Sequence, residues 1–450
     1  MSRILGGELR AGERLPSSRA LAEELRIARN IAVEVFEQLQ AEGYLETRRG
    51  SGTFVARLEL PASMPLRQQP KRRAAAPLPG TPAEGTIEFR CGIPDLSAFP
   101  RARWLRAMRQ VGFHSSSEIW SYDEAAGLQS LREEIAAHLG RVKGIRCVAS
   151  QVVLTQGSTH GIALLGLFFR SRRAAALVED PVVSFVPRTL EQCGIRVRPV
   201  RADEQGLVVD ALPANPAASF VFVSPSHQFP LGGTLPIARR LALLRYARRH
   251  DLFVVEDDYD SEFRFAGAPV SSLCRLDPER VIHLGTFSKS LAPAMRLGYL
   301  VLPPDMAAEM VRMLRPLYLA GSRVLHAAVA ELMREGHFER HVARMKRVYA
   351  RKMKTLCAAL REYFGEDVTI SGNSTGLHLV ARFRGVALTA ALRARCAEAG
   401  VRFDTAGDYA LVKRRDAEGA LLGFGALSLE EIREGVRRLA MVIQKKTKDR

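Results

Sequence analysis

Residues 281–303 read VIHLGTFSKSLAPAMRLGYLVLP. An apolar run, Val281–Leu284, gives way to Gly285-Thr286-Phe287-Ser288-Lys289-Ser290, and a second run, Leu297–Leu302, follows. Apolar runs bounded by small and polar residues predict two strands joined by a loop. A lysine on that loop can form a Schiff base with an aldehyde if its amine is partly neutral; an exposed Ser-Lys loop has the same spelling. Arg296 lies seven residues after Lys289, at the start of the second predicted strand, and suits a phosphate or a carboxylate.

Working outward, two further segments have the same form. Phe253-Val254-Val255 ends in Glu256-Asp257-Asp258-Tyr259, and a strand over Val152–Thr155 ends in Gln156-Gly157-Ser158-Thr159-His160 before a helical pattern. Open α/β sheets bind ligands at the carboxyl ends of their strands. Asp257 there can keep a pyridine nitrogen protonated, and Tyr259 can donate to a ring hydroxyl. Helix N-termini bind phosphate through backbone N–H groups, and small residues let it approach. Each segment alone also reads as something plain: a solvated acidic loop, an ordinary strand-to-helix turn. Strands are also predicted at Ala175–Glu179, Ser219–Val223 and Leu252–Glu256, with a helix at Ile237–Arg249. Strands alternating with helices predict a mostly parallel α/β sheet. From about Leu325, helical patterns lead into short strands at Leu377–Ala381, Val401–Phe403 and Leu421–Gly423, a smaller α+β subdomain.

The N-terminal part has a different pattern. Residues 15–26, LPSSRALAEELR, carry a Ser-Ser capping signal and then Leu21, Ala22 and Leu25 at helical spacing. A second helix is expected over Arg29–Glu42, with Ala32, Val35, Phe36 and Leu39 on one face. A link of two or three residues makes this a helix-turn-helix. Arg29 and Asn30 stand at the N-terminus of the second helix, the end such motifs present to bases and phosphates. Leu45–Thr47 and Thr53–Val55 predict a β-hairpin wing with Arg48 and Arg49 near its tip. Residues 57–85, rich in proline and alanine, read as a linker between a head of residues 1–56 and a body of residues 86–450.

These segments carry two resemblances. LPSSRALAEEL, ARNIAVEVFEQLQAEGYLE and RRGSGTFVA resemble the winged helix-turn-helix of GntR regulators. VEDDYDSEFRF and GTFSKSLAPAMRLGYLVLP, with IPDLSAFPRARWLRAMR and LLGFGALSLEEIREGVRRLA, resemble the fold-type I, pyridoxal phosphate-dependent aminotransferases. The whole chain therefore resembles the MocR subfamily of GntR regulators. The resemblance implies that Lys289 bears pyridoxal 5'-phosphate as a Schiff base. It places Asp257 at the pyridine nitrogen, Tyr259 at the ring hydroxyl, and Ser158, Thr159, Thr286 and Arg296 at the phosphate. Tyr122 would reach the phosphate of the partner subunit, so the chain would be a homodimer, with heads swapped onto partner bodies. Ser18, Arg19, Arg29, Asn30, Arg48 and Arg49 would contact double-stranded DNA.

Three departures stand out. Heads of this family begin with a helix of about a dozen residues, of which ILGGELRAGERLP is only the tail; either the start lies upstream or this head is shortened. Val183 stands where an aromatic usually packs on the cofactor ring, with Phe185 the nearest aromatic. Leu231 stands where threonine is common, and His227 and Gln228 lie near the cofactor by analogy only. The arginine that clamps an effector carboxylate is open between Arg188 and Arg402.

Composition bounds the partners. The net charge of +18 suggests a polyanion, yet residues 1–56 hold eight Arg and eight Glu. Residues 57–85 carry five basic and two acidic residues, so +15 falls on the body, where it is expected to help hold DNA. Six dispersed cysteines without a CxxC pair argue against a zinc site or a disulfide framework. There is no signal-peptide core and no apolar run of about 18 residues, so a cytoplasmic protein without a membrane span is expected. Three readings follow: a regulator sensing pyridoxal phosphate with or without an amine or amino-acid effector, an active aminotransferase with an accessory head, and a dimeriser with a dead body. The complete Lys289, Asp257, Tyr259 and Arg296 set favours the first two, and the head favours the first.

Overall fold

The computed structural model describes residues 2–6, 8–57, 85–122, 124–267, 270–317, 321–412 and 419–448. The chain divides into two compact units, Met1–Thr81 and Pro82–Arg450. Residues 58–84, nearly all of the expected linker, lie outside the described residues.

In the first unit, helices Ser2–Leu5, Ser18–Leu25 and Arg29–Ala41 precede an antiparallel hairpin, β1 (Leu45–Arg48) and β2 (Gly52–Val55). The Ser17 hydroxyl caps the Ser18–Leu25 helix, accepting from the Ala20 N–H at 3.2 Å. That helix ends at Arg26 in a left-handed conformation, φ 52°, which turns the chain sharply into the next helix. Ala22 and Ala32 are buried, and their small side chains allow the two helices to approach closely. Ile4, Leu45 and Val55 form the core, with Leu9, Leu15, Phe36, Leu39 and Tyr44 packed around it. Two expected core residues are instead on the surface: Leu25 is 56% and Val35 43% exposed. So small a core uses only one narrow stripe of each helix.

The second unit is built on an eight-stranded sheet. Its strands are β4 (Val152–Thr155), β5 (Ala175–Asp180), β6 (Arg196–Asp203), β7 (Gly206–Leu207), β8 (Phe220–Val223), β9 (Phe253–Asp258), β10 (Val281–Thr286) and β11 (Gly298–Val301). They lie in the order β4-β11-β10-β9-β8-β5-β6-β7. From β10 to β6 neighbours are parallel, whereas β11 is antiparallel to both β10 and β4, and β7 to β6. Successive side chains alternate between faces. Leu177, Val221, Val254 and Val281 pack on one side with Leu131 and Leu243. Val178, Phe222, Val255 and Ile282 pack on the other with Ile162 and Val186.

Before this sheet comes β3 (Ile87–Glu88). After it come β12 (Val368–Ser371), β13 (His378–Phe383), β14 (Val401–Arg402), β15 (Asp404–Thr405) and β16 (Ala420–Gly423). The small sheet is β12-β13-β16-β15. Helices His337–Phe364 and Leu429–Lys448 contribute Tyr349, Leu356, Val436 and Leu439 to the core it shares.

Several boundaries differ from expectation. Strand β9 runs to Asp258 and β10 to Thr286, because the parallel ladder continues through Asp257↔Leu284 and Asp258↔Gly285. Residues 401–403 do not join the small sheet; β14 ends at Arg402 and pairs in parallel with β3. Arg296 does not begin a strand; it ends the 3-10 turn Pro293–Met295 with φ 45°, and β11 starts two residues later. Strand β6 gave no sequence signal, since RVRPVRAD buries only Val200 and Ala202 and has no apolar run. Among the described residues, no helix is long and apolar enough to cross a membrane.

Candidate functional site

The carboxyl ends of β4, β9 and β10 carry the residues singled out above. At β9 the alternation of faces separates two adjacent carboxylates. Asp258 points to the side of helix Gln129–Lys143, where the Lys143 ammonium bonds it and also reaches Glu262 at 3.2 Å and the Ser261 hydroxyl at 2.8 Å. Against its burial, Lys143 and then His283 bring the Asp258 carboxyl down to about 2. Asp257 has no such cation. Its burial, reinforced by Asp258, Asp260 and Glu179, pushes it up to about 8, with Lys289 opposing.

Lys289, after β10, donates from Nζ to the Gly92 carbonyl at 2.6 Å. Desolvation lowers its pKa, while Asp260 and then Asp257 oppose the drop. Burial lowers the pKa of the amine and the Gly92 carbonyl holds it in place, both of which suit a nucleophilic lysine. Tyr259 is half-buried; its hydroxyl donates to the His227 carbonyl at 2.9 Å. The Thr286 hydroxyl accepts from the Ser288 N–H at 3.1 Å.

On β4, the chain passes through Gly157 at φ +83° and enters helix Ser158–Arg170. The Arg296 guanidinium lies beside Gly157, such that a Cβ added there would sit 3.6 Å from it. Ser158 and Thr159 are the first two residues of the helix and are half-buried. A helix N-terminus next to a guanidinium suits a phosphate. The arrangement fits pyridoxal 5'-phosphate: a buried carboxyl lacking a cation for a pyridinium N–H, a desolvated lysine for the aldehyde, and an anion cradle.

Other expected residues stand elsewhere. Tyr122 is 86% exposed and its carbonyl accepts from Arg323 at 2.7 Å. Arg188 is exposed on helix Phe185–Gln192, and Arg402 is exposed on β14; neither is drawn to Lys289 by a recorded contact. His227 and Gln228 are both buried; Gln228 Nε2 donates to the Pro181 carbonyl at 2.8 Å. Gly92, Asp260 and His378 are functional candidates that sequence reasoning missed. Asp260 stands directly after Tyr259 in the quoted VEDDYDSEFRF, whereas Gly92 and His378 come from separate segments that only the topology brings to this place.

In the first unit, Ser18 opens its helix, and Arg29 and Asn30 are exposed at the start of the next. Arg19 pairs with Glu23 at 3.6 Å. Arg48 pairs with Glu46 at 2.6 Å and lies over the Phe54 ring, and Arg49 is exposed in the turn that follows.

Comparison with known proteins agrees with both units. Residues 2–55 match the family described as bacterial regulatory proteins, gntR family, and residues 87–405 match aminotransferase class I and II. The chain is 33% identical to a probable rhizopine catabolism regulatory protein, MocR, of Rhizobium meliloti, over 97% of this chain and 90% of that one. It is 32% identical to the HTH-type transcriptional regulator TauR of Rhodobacter capsulatus, over 98% and 94%. Among solved structures, the α-aminoadipate aminotransferase LysN of Thermus thermophilus, complexed with N-(5'-phosphopyridoxyl)-L-leucine, is 27% identical with a TM-score of 0.72, covering 81% of this chain and 94% of that one. A class I and II aminotransferase fold implies pyridoxal phosphate as cofactor. The chain belongs to the MocR subfamily of GntR regulators, in which a DNA-binding helix-turn-helix precedes an aminotransferase-like body.

Proposed function

We propose that this regulator binds pyridoxal 5'-phosphate through Lys289 and reads an amine or amino-acid effector, or the cofactor itself, at the same place. The observation that carries this reading is the desolvated Lys289 amine beside Asp257 and Asp260, in a chain that also bears a GntR head. Bound there, the cofactor supplies an aldehyde that takes up primary amines. Asp257 holds the proton at the pyridine nitrogen, Tyr259 meets the ring hydroxyl, and Ser158, Thr159, Thr286 and Arg296 hold the phosphate. An effector switches DNA binding only by favouring one arrangement of the protein over another. The test is binding of the full-length protein to its own promoter region, with and without cofactor and a panel of amines. Unchanged DNA affinity throughout, or turnover at ordinary enzyme rates of roughly 1–10³ per second, overturns the reading.

The head contacts duplex DNA through Ser18, Arg19, Arg29, Asn30, Arg48 and Arg49, and the positive charge of the body adds attraction. Arg29→Ala is expected to weaken specific binding by roughly five- to a hundredfold, and added salt to weaken all binding. Fluorescence anisotropy on specific and scrambled duplexes reads both; equal losses on the two duplexes make Arg29 a phosphate contact only.

The protein acts in the cytoplasm as a homodimer, with each head on its partner's body. Leu105, Phe113, Trp120 and Tyr122 are 61%, 78%, 63% and 86% exposed, and so much apolar surface over a short stretch calls for a cover. Leu25, Ile31 and Val35 leave a similar stripe on the head. Trp120→Asp is expected to shift the protein from dimer to monomer in light scattering; an unchanged mass removes this face from the interface.

A further inference from the structure

Three buried side chains meet beside Tyr259. His227 follows β8, Asp260 follows β9, and His378 opens β13. Their relative exposures are 1%, 2% and 1%. His227 Nδ1 lies 3.1 and 3.0 Å from the two Asp260 oxygens, so Nδ1 carries the proton and donates to the carboxylate. The same nitrogen is 3.2 Å from the Tyr259 hydroxyl, whose own proton goes to the His227 carbonyl. The His227 ring is stacked on Tyr259 on one side and, at 4.4 Å, on His378 on the other. Gly376 closes over the pair: a Cβ there would come within 2.2 Å of His227 Nδ1 and 2.3 Å of Asp260. The cluster thus joins the large sheet to the small one, at the side chain expected to touch the cofactor.

These three side chains are close enough together to suggest a metal site. The ring geometry opposes it. Stacked imidazoles, with planes 29° apart, aim their lone pairs side by side rather than at one point. His378 Nε2 donates to the Pro230 carbonyl at 3.2 Å, so only its Nδ1 could serve, beside a His227 ring whose Nδ1 already faces Asp260. What the cluster does hold is the phenol. The His227 ring is held at Nδ1 by Asp260 and flanked by His378, while its Nε2 is buried without a partner among the described residues; ring and carbonyl both meet the Tyr259 hydroxyl.

We infer that His227, oriented by Asp260 and braced by His378, is a positioning residue that sets the Tyr259 hydroxyl for the ligand in the site. The inference rests on the cofactor reading above. Asp260 is shared: it orients His227 and is also the largest charge acting on the Lys289 amine. The groups facing the Tyr259 hydroxyl are His227, Asp260 and Asp257, Glu179 from β5, and Cys91 from the segment after β3.

The test uses the full-length dimer loaded with pyridoxal phosphate. The readouts are cofactor affinity and the pH midpoint of its visible band, for wild type, His227→Gln, Tyr259→Phe and the double variant. His227→Gln is expected to weaken cofactor binding by about tenfold and to move the midpoint by roughly half to one pH unit, in the direction that Tyr259→Phe moves it. The double variant is expected to match Tyr259→Phe alone, since a residue acting through Tyr259 has nothing left to position. Additive shifts, or a His227→Gln protein with a wild-type midpoint, overturn the inference. So does one zinc ion per chain in wild type that His227→Gln loses. Should His227→Gln not fold, His227→Asn is read by the same criteria. A wild-type protein with no visible band at all refutes the cofactor reading instead, which keeps the two failures apart.

Discussion

Lys289→Ala is expected to abolish the visible absorbance that pyridoxal phosphate gives the wild-type protein. Borohydride reduction followed by mass spectrometry should leave the cofactor mass on Lys289 of the wild type and nowhere in the variant. The effect is all-or-none because it removes a covalent bond, whereas loss of a phosphate contact costs about 1–3 kcal/mol. The Gly92 carbonyl holds the amine at 2.6 Å and desolvation lowers its pKa. The other two largely buried lysines among the described residues are ion-paired: Lys143 to Asp258 and Glu262, with its pKa raised, and Lys352 to Asp95 at 2.8 Å. A visible band that survives in Lys289→Ala would move the attachment to another lysine and undo the site as drawn.

Between pH 6.5 and pH 8 the cofactor-free protein is expected to lose about 1.6 kcal/mol more stability than its Asp257→Asn variant, and the loaded protein much less. Asp257 is the cause. Its folded pKa, about 8, is above its ordinary value of 3.8, so the folded state binds its proton more tightly than the unfolded state does. That stability is complete below about pH 4 and is lost as pH rises toward 8, at up to about 1.4 kcal/mol per unit. Glu179, raised by burial to about 7, adds to the same trend. His138, His160, His326, His341 and His378 are lowered by burial and oppose the trend, each by about 0.4 kcal/mol between pH 6.5 and 8 as the unfolded imidazoles lose their last protons, so the share of Asp257 is the difference between wild type and Asp257→Asn. A cationic ring nitrogen beside Asp257 offsets the burial of its charge, and Asp257→Asn removes the ionisation itself, so both flatten the profile. Urea denaturation of wild type and Asp257→Asn at the two pH values measures this; the same pH dependence in both proteins would refute the argument.

Much of this site is legible in the sequence, for a specific reason. Lys289, Asp257 and Ser158 each follow a buried apolar strand, and such transitions mark the carboxyl edge of a parallel sheet. The head is legible because capping serines, a short link and a hairpin follow one another within about fifty residues. Illegible parts lack a local signal. Strand β6 is spelled RVRPVRAD, with only Val200 and Ala202 buried. The left-handed φ of Arg296 depends on how β10 and β11 turn back on each other, and no neighbour in sequence announces it. His227, Asp260 and His378 are far apart in the chain, and His227 alone reads as one more core histidine.

The adjacent carboxylates of β9 are chemically identical, and only parity tells them apart. Asp258 shares its side of the strand with Glu256 and Val254, facing Lys143, while Asp257 shares the other with Val255. Deleting one residue between Leu252 and Glu256 while the ladder stayed fixed would exchange their faces: Asp258 would take the place of Asp257, and Asp257 that of Glu256 beside Ser272 and His283. The pair spelling would survive intact in any alignment. The count of residues before it, odd or even, decides which aspartate is spent as a counterion and which is kept for chemistry, so indels in this strand are a more telling sign of a changed site than substitutions on it.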